Sequence, residues 1–271
     1  MYKKIFAKCS SGITEKCKKF HEISYSSFCS NKKRNNGKYK CRNCARYGVN
    51  LTLKVNNDFF DEISEIQSYM IGIIAGDGNL KNNTIRIVSH NKDIETLNLF
   101  KKYICPDSKI CKYRNSNCYY ISFTSHKISK IVYDSLSVKS GKKSNIIQMP
   151  DFCEDLCWHF IRGLMDSDGS IRDLKNSKHT IPKCCYSSKS EKIKEQIKVL
   201  CDKYEISYVT DKLSIIFNGQ HCIKFLNKVY NNSNYKLSRK YLLYIDSKQW
   251  VSGNGNPFRP YIKRGPRKVI K

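Results

Sequence analysis

Two stretches of the chain end an apolar, helix-like run on an aspartate followed by glycine. "MIGIIAGDGNL" spans residues 70–80 and "FIRGLMDSDGS" spans residues 160–170. Their aspartates, Asp77 and Asp168, lie 91 residues apart (168 − 77). Because a segment that recurs at a fixed spacing indicates an internal repeat, the sequence predicts two copies of one structural unit.

The patterns after each stretch also match. In the first copy a helix is followed by a strand "TIRIVS", a helix "DIETLNLFKKYI", a hairpin turning at residues 115–117 and a helix "HKISKIVYDSL". In the second, the strand "IPKCCYSS" precedes a helix with Ser190 as its N-cap, a hairpin turning at residues 211–212 and the helix "GQHCIKFLNKVY". This order predicts an α+β protein in which an αββ-type unit occurs twice.

An aspartate is an unfavourable residue at the end of a helix, because the C-terminus is the negative end of the helix macrodipole. Gly78 and Gly169, which follow the acids, are predicted to end the helices in the left-handed conformation. Since broken local rules concentrate at functional sites, the duplicated acid indicates a functional role for Asp77 and Asp168.

The same helices carry small residues four apart, which share one face and allow close packing: Gly72 and Gly76 in one, Gly163 and Ser167 in the other. If the helices pack on each other, Asp77 and Asp168 come side by side. Two adjacent carboxylates repel each other unless a cation lies between them, and Mg²⁺ or Mn²⁺ fits such oxygen ligands. The pair is therefore predicted to support metal-dependent attack on a phosphodiester.

The composition predicts a polyanionic partner. Lys and Arg number 50 against 23 Asp and Glu, for a formal net charge of +27. The sequence shows neither an apolar run long enough for a membrane span nor a signal peptide. With 14 cysteines in such a chain, we expect reduced thiols and an intracellular, reducing compartment, such as a microbial or virus-infected cytoplasm or an organelle.

The segments "IGIIAGDG" and "IRGLMDSDG" resemble the two signature motifs of the LAGLIDADG homing endonucleases, in the single-chain form with two motifs. The resemblance covers about residues 58–246. It implies two pseudo-symmetric αββαββα halves that meet at the motif helices, each laying a curved sheet in the major groove of double-stranded DNA. It also implies that Asp77 and Asp168 bind the catalytic metals. Ala75 departs from the pattern, because the family often has an earlier acid there, which Asp166 keeps.

The function implied by the resemblance is a double-strand break in a long asymmetric DNA site by a monomer, in support of intron or gene mobility. Two alternatives stay open. The same fold can act as an RNA maturase that binds intron RNA, or as a DNA-binding regulator without catalysis. A silent regulator is expected to lose an acid or a motif glycine, and this sequence keeps both.

The family also tends to place a basic residue near each active site, late in each repeat. Aligning "GKKS" with "SRKY" selects Lys143 and Lys240, which lie 66 and 72 residues after their aspartates (143 − 77; 240 − 168). Such a lysine would polarise the water or stabilise charge on the phosphate. The neighbouring alternatives are Lys142, Lys236 and Arg239.

Alternation along the strands predicts which basic side chains face DNA: Arg86, Lys112, Arg114, Arg172, Lys183 and Lys212. For three tyrosines of the first hairpin, packing is favoured over groove contacts: Tyr113, Tyr119 and Tyr120.

The N-terminal segment is rich in cysteine and has its own pattern. Cys41-x2-Cys44 is typical of a zinc knuckle, and Cys9 with Cys17 is the favoured second pair. Cys17 with His21, or with Cys29, and buried thiols without metal are the alternatives. The predicted organisation is a zinc-binding segment over residues 1–50, repeats over residues 58–150 and 151–246, and a basic tail over residues 247–271.

Overall fold

A computed structural model describes residues 4–10, 20–34, 37–41, 54–113, 116–141, 143–177, 179 and 181–251. The chain divides into two compact units, Met1–Lys54 and Val55–Lys271. No helix within the described ranges is long and apolar enough to cross a membrane.

The described part of the first unit contains a hairpin followed by a helix. Strand β1 (Lys4–Lys8) pairs antiparallel with β2 (Phe20–Ser24), and helix α1 (Tyr25–Arg34) follows directly. Among its described residues, Ala7, Cys9, Tyr39 and Cys41 form a buried cluster, with Ile23 and Phe28 packed against it. Cys17 and Cys44, two of the four predicted zinc ligands, lie outside the described residues.

The second unit contains the same αββαββα order twice. The first copy consists of α2 (Glu65–Asp77), β3 (Gly78–Lys81), β4 (Thr84–His90), α3 (Ile94–Tyr103), β5 (Cys111–Lys112), β6 (Cys118–Thr124) and α4 (His126–Leu136). The second consists of α5 (Glu154–Ser167), β7 (Gly169–Ile171), β8 (Lys183–Ser187), α6 (Glu191–Lys203), β9 (Val209–Thr210), β10 (Ser214–Asn218) and α7 (Gly219–Tyr230), and helix α8 (Ser238–Lys248) follows it. A short 3₁₀ turn, Asn91–Asp93, leads into α3.

The strands form two antiparallel four-stranded sheets with matching order, β3-β4-β6-β5 and β7-β8-β10-β9. The α+β repeat architecture predicted from the sequence is therefore confirmed. Sequence alternation explains the sheets, because in β4 Ile85, Ile87 and Ser89 are buried while Arg86 and His90 are exposed.

Local signals set several helix starts. The Ser64 amide donates to Gln67 Oε1 at 3.2 Å before α2, and Ser125 Oγ accepts the Ile128 amide at 3.1 Å at the start of α4. Ser190 is the N-cap of α6 as predicted, yet its hydroxyl donates to the Ile147 carbonyl at 2.6 Å. That bond fastens the segment between the repeats to the second repeat.

The motif helices α2 and α5 pack directly against each other through the predicted small residues. A Cβ added to Gly72 would lie 2.2 Å from the Phe160 carbonyl oxygen, and one on Gly163 would lie 2.2 Å from the Tyr69 carbonyl oxygen. Both distances are far inside van der Waals contact, so the helix backbones approach to a separation that only glycine allows.

Strands β3 and β7 were not predicted, and the conformation predicted for the two stop glycines is wrong. Gly78 is extended (φ −77°, ψ 136°), and neither Gly78 nor Gly169 has a positive φ. Each glycine begins a strand directly after its helix. A Cβ on Gly78 would lie 2.4 Å from the Ile74 carbonyl oxygen, and one on Gly169 would lie 2.6 Å from the Met165 carbonyl oxygen. The requirement for glycine is thus steric crowding against the helix end, and not a left-handed turn.

Candidate active site

Asp77 and Asp168 lie at the adjacent ends of the packed helices α2 and α5. Asp77 is the last residue of α2, and Asp168 is the residue that caps α5. A Cβ on Gly76, next to Asp77, would lie 2.0 Å from Ser167 Oγ and 3.0 Å from Asp168 Oδ2. The structure therefore brings together the two acids that the sequence singled out.

The environment makes both acids harder to ionise than usual. Burial and repulsion from the Asp168 carboxylate raise the pKa of Asp77 to about 6. Partial burial also raises the pKa of Asp168, although it is the more exposed of the two acids. The ammonium groups of Lys143 and Lys240 act in the opposite direction on both carboxylates.

Lys143 and Lys240 are buried behind the two helix ends. Lys143 Nζ donates to the carbonyl oxygens of Ala75 and Gly76 at the end of α2. Lys240 Nζ donates to the carbonyls of Met165 at 2.6 Å, Asp166 at 2.8 Å and Gly169 at 2.7 Å. Each lysine thus caps the negative end of a motif helix. Burial lowers the pKa of Lys143 to about 8, although the two aspartates act to raise it.

Two of the three alternative basic residues lie in the described part of the chain, and both contact other groups. Lys236 donates to the Ser233 carbonyl at 2.7 Å and lies over the Tyr241 ring, and Arg239 forms an ion pair with Asp93. Lys142 lies outside the described residues.

Asp166, the earlier acid of the second motif, accepts hydrogen bonds that hold parts of the fold together. It is buried and accepts hydrogen bonds from Tyr69 Oη at 2.9 Å, Tyr230 Oη at 2.5 Å and the Leu237 amide at 2.8 Å. These donors come from α2, α7 and the segment before α8. Asp166 therefore joins three parts of the unit, and the small Ala75 occupies the matching position of the first repeat.

The outward face of the first sheet carries part of the predicted DNA surface. Arg86 is exposed, and its guanidinium lies 5.0 Å from the centre of the Tyr120 ring. Tyr120 in turn contacts the exposed Tyr113 at 5.1 Å between ring centres. The packing prediction therefore fits Tyr119, which contacts the core, whereas Tyr113 and Tyr120 belong to the outward face.

The register separates Lys112 from Arg86. Lys112 pairs with Tyr119, whose side chain faces the core. Lys112 therefore lies on the opposite side of the sheet from Arg86, at the exposed edge of the sheet. Arg114 lies outside the described residues. Sequence reasoning missed Asn79 and Lys81, which β3 places opposite Arg86 and Thr84. The alternation "GNLK" after the helix would have identified this short strand.

The charged residues on the outward face of the second sheet are less exposed than Arg86 and Lys81 of the first. Lys183 and Arg172 lie there, half-buried, and the Arg172 guanidinium donates to the Ile181 carbonyl at 3.0 Å. Lys212 is exposed in the β9–β10 turn, where Asp211 Oδ1 accepts the Leu213 and Ser214 amides. The two sheets therefore offer different chemistry to a ligand.

A cavity of about 260 Å³ lies beside Asp168. Its polar lining comprises Lys143, Ser144, Asp168, Ser187, Ser188 and Lys189. The serines and Lys189 were not predicted from the sequence, because no local pattern connects the β8–α6 turn with Asp168. These hydroxyl and ammonium groups are suitable donors to phosphate oxygens.

The donor set fits a hard divalent cation. Asp77 and Asp168 offer carboxylate oxygens, and a cation between them would offset the repulsion that raises the pKa of Asp77. The described part of the chain contains no cluster of three or more His, Cys, Asp or Glu side chains suited to a metal. A metal here would therefore depend on the two acids together with water or phosphate oxygens.

A LAGLIDADG-like domain model matches residues 156–247, which include the second motif helix, its sheet and Lys240. This segment is therefore similar to a LAGLIDADG-like domain. The first repeat has the same element order and sheet order, so the LAGLIDADG fold extends over both halves of the second unit.

Solved structures with a similar fold are distant in sequence. The LAGLIDADG homing endonuclease I-SmaMI, solved with uncleaved DNA in the presence of calcium ions, is 14% identical, with a TM-score of 0.47 over 69% of this chain and 90% of that one. The homing endonuclease I-LtrWI with its target DNA is 12% identical, with a TM-score of 0.44 over 68% and 89%. The N-terminal LAGLIDADG domain of DUF199/WhiA is 16% identical, with a TM-score of 0.40 over 72% and 91%. No curated protein matches the chain significantly.

Proposed function

We propose that this protein is a site-specific DNA endonuclease that makes a metal-dependent double-strand break in a long asymmetric site. One observation carries the proposal, namely the two acids at the adjacent ends of packed LAGLIDADG helices, each helix end capped by a buried lysine. The net charge of +27 supports a nucleic-acid partner.

The proposed chemistry assigns a role to each group. Asp77 and Asp168 would hold Mg²⁺ or Mn²⁺, which supplies Lewis acidity toward the scissile phosphate and its attacking water. Lys143 and Lys240 hold positive charge behind the acids and thereby favour the ionised carboxylates. Arg86 and Lys81, on the outward face of the first sheet, would contact the DNA backbone and position it.

The test is cleavage of the uninterrupted form of the DNA that flanks the gene, at near-physiological salt with Mg²⁺. We expect a discrete double-strand cut by the intact protein and none with EDTA. The double variant Asp77→Asn, Asp168→Asn should lose cleavage by about 10²-fold or more while still binding the DNA. Asp107→Asn, a change at an exposed acid, is the matched control and should cleave normally.

Tight DNA binding by the intact protein without any nick would overturn the endonuclease proposal for that DNA. Binding of the protein's own intron RNA with faster splicing would then favour a maturase. DNA binding alone decides nothing, because all three functions require strong electrostatic attraction to nucleic acid.

A further inference from the structure

The start of helix α8 carries Lys240 to the end of α5, and it lacks the usual capping side chain. Leu237 is the N-cap of α8, and its side chain has no polar atom that could accept an amide. The first turn of α8 contains no acidic residue either. Because the first amides of a helix have no partner within the helix, other parts of the chain have to supply the acceptors at this start.

Carboxylates supply those acceptors. Glu95, in the first turn of α3, accepts the Ser238 amide through Oε1 and the Ser238 hydroxyl through Oε2, both at 2.7 Å. Asp166 accepts the Leu237 amide at 2.8 Å. An acid at a helix N-terminus also faces the positive end of the helix macrodipole, so these bonds are favourable in charge as well as in geometry.

A second acid at the start of α3 holds the residue next to Lys240. The Asp93 carboxylate accepts two hydrogen bonds from the Arg239 guanidinium, at 3.0 Å from Nε and at 2.9 Å from Nη2. A bidentate pair of this kind fixes the direction of both side chains. Ser238 and Arg239, the two residues directly before Lys240, are therefore both bonded to acids at the start of α3.

These bonds cross from one repeat to the other. Asp93 and Glu95 belong to the first repeat, whereas Lys240 binds the carbonyls at the end of α5 in the second. Acids are scarce in this chain, with 23 Asp and Glu against 50 Lys and Arg. Two of the few acids thus meet at the one helix start that carries Lys240.

The segment before Lys143 is held differently. The Gly141 amide donates to the Leu80 carbonyl at 3.0 Å, and Ser140 Oγ accepts the Asn82 amide at 2.7 Å. These partners all belong to the first repeat, as does Lys143 itself. The described contacts thus hold this lysine from within its own repeat, whereas its counterpart is held from both repeats.

We propose that Asp93 and Glu95 are positioning residues, which hold α8 so that the Lys240 ammonium stays on the end of α5. The consequence for cleavage rests on the proposed function, in which each lysine supports the cut of one DNA strand. Loss of these acids should then slow the cut of one strand and leave the other unchanged, so that nicked DNA accumulates.

The first experiment measures the position of Lys240 without DNA or metal. Full-length protein in EDTA is acetylated briefly with acetic anhydride, and mass spectrometry gives the rate at each lysine. In the native protein, we expect the buried Lys143 and Lys240 to react slowly and the exposed Lys248 to react fast. Glu95→Ala should raise the rate at Lys240 about tenfold and leave that at Lys143 unchanged, because the start of α8 loses two charge-assisted hydrogen bonds. Asp93→Ala should act in the same direction.

Two variants serve as controls for this measurement. Glu95→Gln keeps an oxygen that can accept the Ser238 amide, so the protection of Lys240 should largely return. Glu195→Ala, which removes an exposed glutamate of α6, should react as the native protein does. An equal rise at Lys143 and Lys240 would mean general loosening, and an unchanged rate at Lys240 would mean that other contacts hold it. Either result would overturn the proposal.

The second experiment measures the consequence for cleavage. On a supercoiled plasmid that carries the cut site, Glu95→Ala should accumulate nicked circles, because one strand is cut at the native rate and the other about tenfold more slowly. Equal slowing of both strands would overturn the selective effect on Lys240. If the native protein cuts no DNA, the proposed function fails, whereas the acetylation rates still decide whether the two acids position Lys240.

Discussion

At the scale of single residues, each acid of the site ends a helix whose last carbonyls are bonded to a lysine ammonium. Lys143 binds the end of α2 and Lys240 binds the end of α5. The carboxylate at a helix C-terminus, unfavourable by itself, is therefore compensated by a cation of the same half. The two lysines do not fully offset the cost of ionising Asp77, because its pKa remains at about 6.

A raised carboxyl pKa gives a definite pH dependence of stability. The folded protein holds the Asp77 proton up to about pH 6, whereas the unfolded chain releases it near 3.8, the ordinary pKa of an aspartate. Stability is therefore lost as pH rises through that window. In EDTA we expect Asp77→Asn to match the native protein below pH ~4 and to exceed it by on the order of 3 kcal/mol above pH ~7. Urea unfolding at both pH values measures this, with Asp107→Asn as control; an equal effect at both pH values would contradict it.

The lysines should affect the pH profile of cleavage. Lys143→Met removes a positive charge that lowers the pKa of both aspartates. The acidic limb of the pH profile of cleavage should therefore move to higher pH. On that limb the cleavage rate should fall about tenfold for each unit by which the aspartate pKa rises, and at alkaline pH it should fall much less. Single-turnover cleavage across the pH range measures this shift. Lys236→Met, at a lysine that binds Ser233 and Tyr241, should leave the midpoint in place, and a uniform loss at every pH would disprove the electrostatic role.

At the scale of elements, the contact between α2 and α5 decides whether a site exists. Gly72 and Gly163 place the two backbones against each other, and this approach sets Asp168 beside Gly76. A second contact joins the same helices, because the buried Arg162 of α5 forms an ion pair with the partly buried Glu65 of α2 at 2.8 Å. The acids are thus positioned by the helix pair as a whole.

Gly72→Ala should disrupt that contact. The added methyl would lie 2.2 Å from the Phe160 oxygen, which is backbone and cannot move aside. We expect a loss of about 2–3 kcal/mol in the free energy of unfolding, together with loss of cleavage. Urea denaturation is the measurement, and Ser167→Ala, which keeps a small residue at the same interface, should change stability by less than about 1 kcal/mol. Native stability in Gly72→Ala would show that the helices are farther apart.

At the scale of the whole molecule, one chain supplies both halves of the site. The two sheets share one strand order but differ in their outward faces. The first carries the exposed Arg86 beside Tyr120 and Tyr113, whereas the described charges of the second, Arg172 and Lys183, are half-buried. Under the proposed function, this difference would suit an asymmetric target, because each half would contact a different DNA sequence.

Mixing two inactive variants tests whether the site forms within one chain. Asp77→Asn and Asp168→Asn, each inactive alone, should remain inactive when combined, because every molecule lacks one acid of its pair. A cleavage assay of the equimolar mixture measures this, with native protein diluted into either variant as the control for activity. Restored cleavage would mean that α2 of one copy pairs with α5 of another.

The sequence by itself determined the repeat, the helices that carry it, the two acids and the excess of positive charge. These follow from local periodicity, spacing and charge, which neighbouring residues encode. Only the tertiary structure decided the ammonium contacts of Lys143 and Lys240, the burial of Asp166 among Tyr69, Tyr230 and Leu237, the edge position of Lys112 and the extended state of Gly78. Each depends on groups far apart in the chain, or on crowding between elements, so no local pattern contains it. The physical reason is that periodicity fixes which face of an element is apolar, whereas packing decides which polar groups meet at its end.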